Sequence, residues 1–443
     1  MSASTGGSTS TPLEQDAREV NTDDHHIRPG EIAIGVIIGR TSEFFDFFVY
    51  ALASVLVFPS VVFPYVDPVT ATLYSFAIFS VAFIARPFGT LLFMSIDRNY
   101  GRGVKLTIAL FLLGGSTMAI ALLPSHASIG TLSAVLLAAF RFGQGVALGG
   151  AWDGLPSLLA LNAPRGKRGW YSMIPQLGAP LGLLVAAALF AYFLSVLSRE
   201  DFLSWGWRYP FFVALAINVV ALFARLRLVA TPEFGRLFEN RELQPSPAFA
   251  TLFKEWRTIA LGSLAPLASF ALFHIVTVFP LSWVTLIANE SPARFLMIEM
   301  VGAVAGVIAM LASGVLADRY GRRPLMAVSA ILIAAYSGFA PQLLNAGPIG
   351  ETAYMITGFL LLGLAFGQAS GLVNDRFAPE HRYTGAAIVA NSAWLVGAGF
   401  APLVALFVSH QFGLWAVGLY LLSGAIASIA ALVINRDWGR REV

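Results

Sequence analysis

The 443-residue chain has no cysteine, which excludes disulfides, thiol catalysis and cysteine-bound metals. Charge is nearly as scarce. Asp, Glu, Lys and Arg make up 12% of the residues against 57% hydrophobic ones, about half the charge of a typical soluble domain. With a mean hydropathy of +0.73, such a chain cannot hide its apolar surface in one water-soluble core; it reads as a polytopic membrane protein. The net charge of +3 is modest and the basic residues are scattered, so no nucleic-acid surface is expected. The motifs H-E-x-x-H, G-x-x-x-x-G-K-[ST] and G-x-S-x-G are also missing. Nothing therefore points to an enzyme, and an ion gradient rather than ATP is the expected energy source.

What fills the chain is apolar segments long enough to cross a bilayer. Twelve are expected, at about 33–58, 70–95, 105–123, 130–156, 170–196, 209–229, 257–287, 294–317, 325–344, 352–374, 383–408 and 412–434. With the N-terminus inside, 22 of the 28 Lys and Arg fall on the cytoplasmic side, Arg40, Arg86 and Arg141 lie within spans, and the outer loops keep only Arg199, Arg208 and Arg294. That asymmetry obeys the positive-inside rule and puts both termini in the cytoplasm.

Residues 1–30, rich in Ser, Thr and Gly, read as a disordered cytoplasmic tail without the pattern of a cleaved signal peptide. A polar linker at 230–256 separates six spans in 31–229 from six in 257–434, and 435–443 form a second tail. The halves share punctuation: "DRNYGRG" (97–103) follows the second span and "DRYGRRP" (318–324) the eighth. A six-plus-six repeat is a common plan for secondary transporters, with the site near mid-membrane between the halves.

"GVLADRYGRRP" (314–324) resembles the G-x-x-x-D-R-x-G-R-R loop of the major facilitator superfamily at every position. The N-half copy departs from it, with Phe93 for the glycine, one extra residue before Gly101, and Gly103 for the last basic residue. Further stretches resemble the superfamily's metabolite:proton symporters: "SEFFDFFVYA" in the first span, "ARPFG" (85–89), "RFGQGVALGG" (141–150), "QLGAPLGLLVA" (176–186), "WGWRYPFF" (205–212), "TPEF" (231–234) and "RYTGAAIVAN" (382–391). Arg40 stands where that family usually has Asn.

The resemblance implies an all-α membrane protein of twelve transmembrane helices in two six-helix pseudo-symmetric bundles. It further implies proton-coupled symport of a small organic acid or zwitterion by a monomer in the inner (plasma) membrane. No cofactor is implied, the proton being the coupling ion. Export of an amphipathic or anionic compound by proton antiport is the alternative. The repeated loops would latch the cytoplasmic helix ends through Asp97, Arg98 and Arg102 in one half and Asp318, Arg319, Arg322 and Arg323 in the other.

The mechanism should lie with charges inside the spans, each costing at least about 2.5–3.5 kcal/mol to place there. Arg40, Glu43 and Asp46 recur every three residues on one face of the first span. Glu43 lies about ten residues, or roughly 15 Å, beyond the expected start of the span. Arg141 reaches a similar depth in the fourth span, and in the resembled fold these two spans line the cavity. Glu43, Asp46 and Arg141 are therefore the expected proton-coupling group; a static pair that only fixes packing is the competing account. Which acid carries the proton stays open, because Arg40 can neutralise Glu43.

Arg86, before Pro87, offers a planar fork for a carboxylate, unless it snorkels to the interface. Gln176, His274, Asn391 and Trp394 complete the expected substrate contacts, with Arg141 as a second anion contact. Asp153, Glu299, Gln368 and Asp375 are further polar residues in or near spans.

Overall fold

Runs of apolar residues bounded by Pro, Gly or Asp fold into a sequence of long helices. The computed structural model describes residues 29–151, 159, 163–164, 166–229, 245–370 and 376–434. The side chains of 29–32, 102, 224–229 and 379 fall outside that description.

Twelve helical spans follow in order: α1 (Pro29–Leu56), α2 (Pro68–Tyr100), α3 (Arg102–Ala121), α4 (Leu132–Gly150), α5 (Arg168–Val196), α6 (Tyr209–Val229), α7 (Trp256–Ala288), α8 (Pro292–Tyr320), α9 (Arg322–Leu344), α10 (Gly347–Phe366), α11 (Arg382–Phe412) and α12 (Trp415–Ile434). Eleven of them are long enough and contain a stretch apolar enough to cross a membrane, by length and composition alone. The twelfth is α1, whose 28 residues include Arg40, Glu43 and Asp46.

Local chemistry sets the ends. Asp67 caps α2 by accepting from the backbone N–H of Thr70 at 3.0 Å, and hydrogen bonding to Thr70 holds its carboxyl below the usual range. Gly101 (φ 84°) and Gly321 (φ 90°) close the two repeated loops in backbone conformations that side chains disfavour.

Three spans are interrupted. A 3-10 turn, Ile174–Leu177, breaks α5, and α7 breaks around Pro266 and Val278 before ending in a π-helical turn, Val284–Ala288. A second π segment, Trp394–Gly399, lies in the middle of α11. Wide turns of this kind are frequent at functional sites.

Within the first six spans, α1 packs on α5 and α6, and α4 on α2 and α3. In the last six, α8 packs on α10 and α9 on α12. The two sets meet where α5 runs along α8 and where α2 lies against α11. Glycine sets the closest approaches: a Cβ on Gly149 would sit 2.3 Å from the Arg86 carbonyl, and one on Gly178 would sit 2.6 Å from the Arg40 carbonyl carbon. These backbones can touch because there is no side chain between them. Arg40 and Arg86 are thereby fixed at the root.

A short helix, Ala248–Lys254, leads into α7 within the expected linker. It is fastened to α11 where the Ser246 N–H donates to Thr384 Oγ1 at 2.9 Å and Thr251 Oγ1 meets His381 Nδ1 at 3.0 Å. The rest of that linker, 230–244, lies outside the described residues.

Candidate functional site

A pocket with about 570 Å³ of empty space opens between α1, α2, α4 and α11. Phe44, Phe47, Phe83 and Trp394 form much of its wall, and Arg40, Glu43 and Arg86 are the charged groups of its lining. The aromatic packing is continuous: Phe83 stacks on Trp394 at 6.1 Å and Phe47 meets Phe83 edge-on at 5.8 Å. Each such pair contributes about 0.5–1.5 kcal/mol beyond area burial. The wall is therefore stiff enough to hold its charges in place.

Those charges have unequal partners. Arg40 is ion-paired to Glu43 one turn along α1 and lies over the Phe44 ring at 5.1 Å. Arg86 lies over the Trp394 ring at 5.9 Å and has no ion pair to any described residue. The Nε atoms of both arginines are buried without a hydrogen-bond partner. A guanidinium held over an aromatic face with unmet donors is a ready anion site.

Asp46, the next acid on α1, belongs to a different environment. It accepts from Thr117 Oγ1 at 2.6 Å and more weakly from Gln144 Nε2 at 3.5 Å. Gln144 also donates to Thr117 at 2.9 Å and accepts from Arg141 at 3.0 Å. Arg141 donates its Nε–H to the Phe79 carbonyl at 3.2 Å and lies 3.9 Å from the Tyr50 ring centroid and 4.9 Å from that of Phe79. All four residues are buried. The expected carboxylate–Arg141 contact is thus indirect, running from Asp46 through Gln144. None of the four lines the pocket.

The remaining expected contacts divide. Trp394 lines the pocket, whereas Asn391 donates to Thr90 at 2.8 Å and ties α11 to α2 just beyond it. His274 is fully buried, stacked on Phe47 at 5.4 Å, with its Nδ1 near Thr277 and its Nε2 unpartnered. Gln176 sits buried in the 3-10 turn of α5 with its carbonyl oxygen unpartnered. Neither touches the pocket. Glu299 is buried in α8 with both carboxyl oxygens unpartnered. Asp153 and Asp375 lie outside the described residues.

The two repeated loops make different contacts. Asp318 accepts from the backbone N–H groups of Gly169 and Trp170 at 2.6 and 3.1 Å, capping the first turn of α5. Arg322 donates to Ser172 at 2.8 Å beside it. Gln368 adds a bond to the Gly169 carbonyl at 3.1 Å. Arg323 turns to its own half and donates to the Leu432 carbonyl, while Arg319 is exposed over Tyr320.

In the first copy, Asp97 pairs with Lys105 at 3.1 Å. Lys105 also donates to the Tyr383 hydroxyl of α11 at 3.0 Å. Arg98 is exposed, and the side chain of Arg102 lies outside the described ones. Sequence reasoning missed Lys105; its burial at 1% exposure becomes visible only once α3 and α11 are brought together.

Residues 41–402 match the family model of the Major Facilitator Superfamily. The chain belongs to that superfamily. Within it, the chain is 38% identical over 413 residues to the inner membrane metabolite transport protein YhjE of Escherichia coli, covering 92% of this chain and 94% of that one. It is 29% identical to the shikimate transporter of the same organism, over 93% of this chain and 95% of the relative. The proton:xylose symporter XylE has the same fold, with a TM-score of 0.69 at 16% identity, over 92% of this chain and 95% of that one. This superfamily member is accordingly a multi-pass membrane transporter and not an enzyme.

Proposed function

We propose that the protein is a proton-coupled symporter that takes up a small organic acid or zwitterion by alternating access. It would work as a monomer in the inner membrane with both termini in the cytoplasm and with the proton as its coupling ion. The observation that carries this reading is Arg86, a guanidinium held in a membrane pocket over Trp394 with no ion pair to any described carboxylate. An unmatched buried charge is costly unless a counter-ion visits it, and a substrate carboxylate is the natural visitor. An acid of α1 supplies the proton site, since Glu43 lines the pocket and Asp46 joins the Arg141 network. The relative named for shikimate and the structural neighbour titled a proton symporter agree with this reading.

Alternating access needs closures that open. The contacts of Asp318 with α5, of Lys105 with Tyr383 and of Asn391 with Thr90 all bridge the two halves and all break if the halves rock apart. Uptake of labelled shikimate, benzoate and glycine betaine into proteoliposomes, with and without an inward proton gradient, tests the proposal. Accumulation of at least one of them above equilibrium, abolished by a protonophore, is expected. Equilibration that ignores the gradient contradicts symport.

A further inference from the structure

At the entry to α7 the chain presents aromatic side chains where a water-facing linker would present polar ones. In the short helix Ala248–Lys254, Phe249 is 71% and Phe253 78% exposed, and Leu252 is exposed beside them. Apolar residues at these spacings fall within about 100° of the helix circumference. Thr251 points to the far side, is fully buried, and meets His381 at the start of α11. The helix thus has one face docked on the protein and an opposite apolar face that no described residue covers.

Two observations say what covers it. The first is continuity. Only Glu255 separates the helix from α7, and the exposed face runs on through Trp256, Ala260 and Leu264, spaced about one turn apart. Because α7 is a membrane span, this outward stripe faces lipid, and Phe249 and Phe253 extend it to the level of the headgroups. The second is charge. Lys254 and Arg257 beside the aromatic face are exposed and form no ion pair with a described residue, and Arg257 lies over the Trp256 ring at 5.4 Å. The acid between them, Glu255, accepts from Thr258 Oγ1 at 3.1 Å. Aromatic rings at headgroup depth with basic side chains beside them match an anionic lipid surface.

We infer that Ala248–Lys254 is an in-plane anchor seated on anionic lipid of the inner leaflet, and that its seating steadies the contact between the two halves of the protein. Phe249, Phe253 and Trp256 enter the upper acyl region, while Lys254 and Arg257 meet lipid phosphates. The anchor adds a lipid partner and does not depend on which solute occupies the central pocket.

The link to the halves follows from what the helix holds. The Ser246 N–H donates to Thr384 Oγ1 at 2.9 Å, and Thr384 donates back to the Ser246 carbonyl at 3.1 Å. The neighbouring residue, Tyr383, accepts from Lys105 of the first half at 3.0 Å. A leaflet that fixes the linker helix therefore fixes the start of α11 and, one residue away, a bond across the halves. Each basic residue near an anionic surface shifts binding about fivefold, so Lys254 and Arg257 together bias the seated helix by about 25-fold.

The cysteine-free chain makes the test direct. Phe253→Cys, labelled with an environment-sensitive fluorophore, is placed in nanodiscs of phosphatidylcholine alone or with a quarter phosphatidylglycerol, each prepared with and without brominated acyl chains. Phosphatidylglycerol should shift the emission to the blue and at least double the quenching by bromine. Adding Lys254→Gln and Arg257→Gln should remove that dependence on lipid charge. In the unlabelled full-length protein, hydrogen exchange in the first turns of α11 should slow several-fold when phosphatidylglycerol is present, and should not slow in the doubly substituted chain. A probe that stays in water in both membranes overturns the anchor. So does a blue-shifted probe that bromine fails to quench, because protein then covers that face. Equal quenching in both membranes overturns the recognition of anionic lipid, and seating without slower exchange in α11 overturns the link to the halves.

Discussion

Glu43 and Asp46 are separated by one turn of α1, and both are buried carboxylates. Glu43 lines a pocket and pairs with an arginine on its own helix; Asp46 faces a buried network that reaches α3 and α4. The described partner of Glu43, Arg40, lines the pocket and can be exchanged there for a substrate carboxylate. Those of Asp46 cannot, because Thr117, Gln144 and Arg141 are bonded to one another and packed against Tyr50 and Phe79. Both acids are buried, so burial alone does not assign a role. Access does.

The comparison breaks most visibly at Arg141. Replacing it by Met removes the bonds to Gln144 and Phe79 and leaves Asp46 without a compensating charge nearby. The expected cost is about 1–3 kcal/mol, as for leaving buried hydrogen-bond partners unsatisfied, seen as a lower unfolding temperature in detergent. An equally stable variant would mean that the network is not the structural member of the pair. Arg86→Gln should act in the opposite way, leaving the unfolding temperature alone while weakening anion binding about 10- to 100-fold, the worth of a charge-assisted hydrogen bond.

Trp394→Ala comes next. It removes the ring under Arg86 and should weaken binding by roughly 1–2 kcal/mol, while Trp394→Phe recovers most of the loss. Smallest is Tyr383→Phe, which deletes one bond from Lys105 across the halves and should shift the closed state by about 1 kcal/mol. Faster cysteine labelling at an introduced cytoplasmic-side position, in a chain with no native cysteine, reports it.

The helices were legible because hydropathy and the positive-inside rule act over every residue of a span. The intramembrane charges were legible for the same reason: in an apolar run they stand out. What joins those charges was not. Thr117 lies 71 residues from Asp46, and Gln144 lies 98 residues from it. Tyr383 lies 278 residues from Lys105. Thr117 and Gln144 are ordinary polar residues in sequence and acquire meaning only where α1, α3 and α4 converge.

The latch loops show a related limit. Both copies carry Asp-Arg, but Asp97 pairs with Lys105, whereas Asp318 accepts from the backbone of α5. The π segment at Trp394 gave no sequence signal beyond its glycines, since a wide turn is decided by what packs against it. Here Gly399 lies against Phe83, and its carbonyl accepts from Ser80 at 2.8 Å.

The most direct test of the division between the two acids is to compare exchange with accumulation in proteoliposomes of Glu43→Gln. If Glu43 carries the coupled proton, this variant should exchange internal for external labelled acid at a rate near the wild type but fail to concentrate the acid when an inward proton gradient is imposed. If it accumulates the acid as the wild type does, Glu43 is not the coupling residue, and its pairing with Arg40 only holds the pocket in shape.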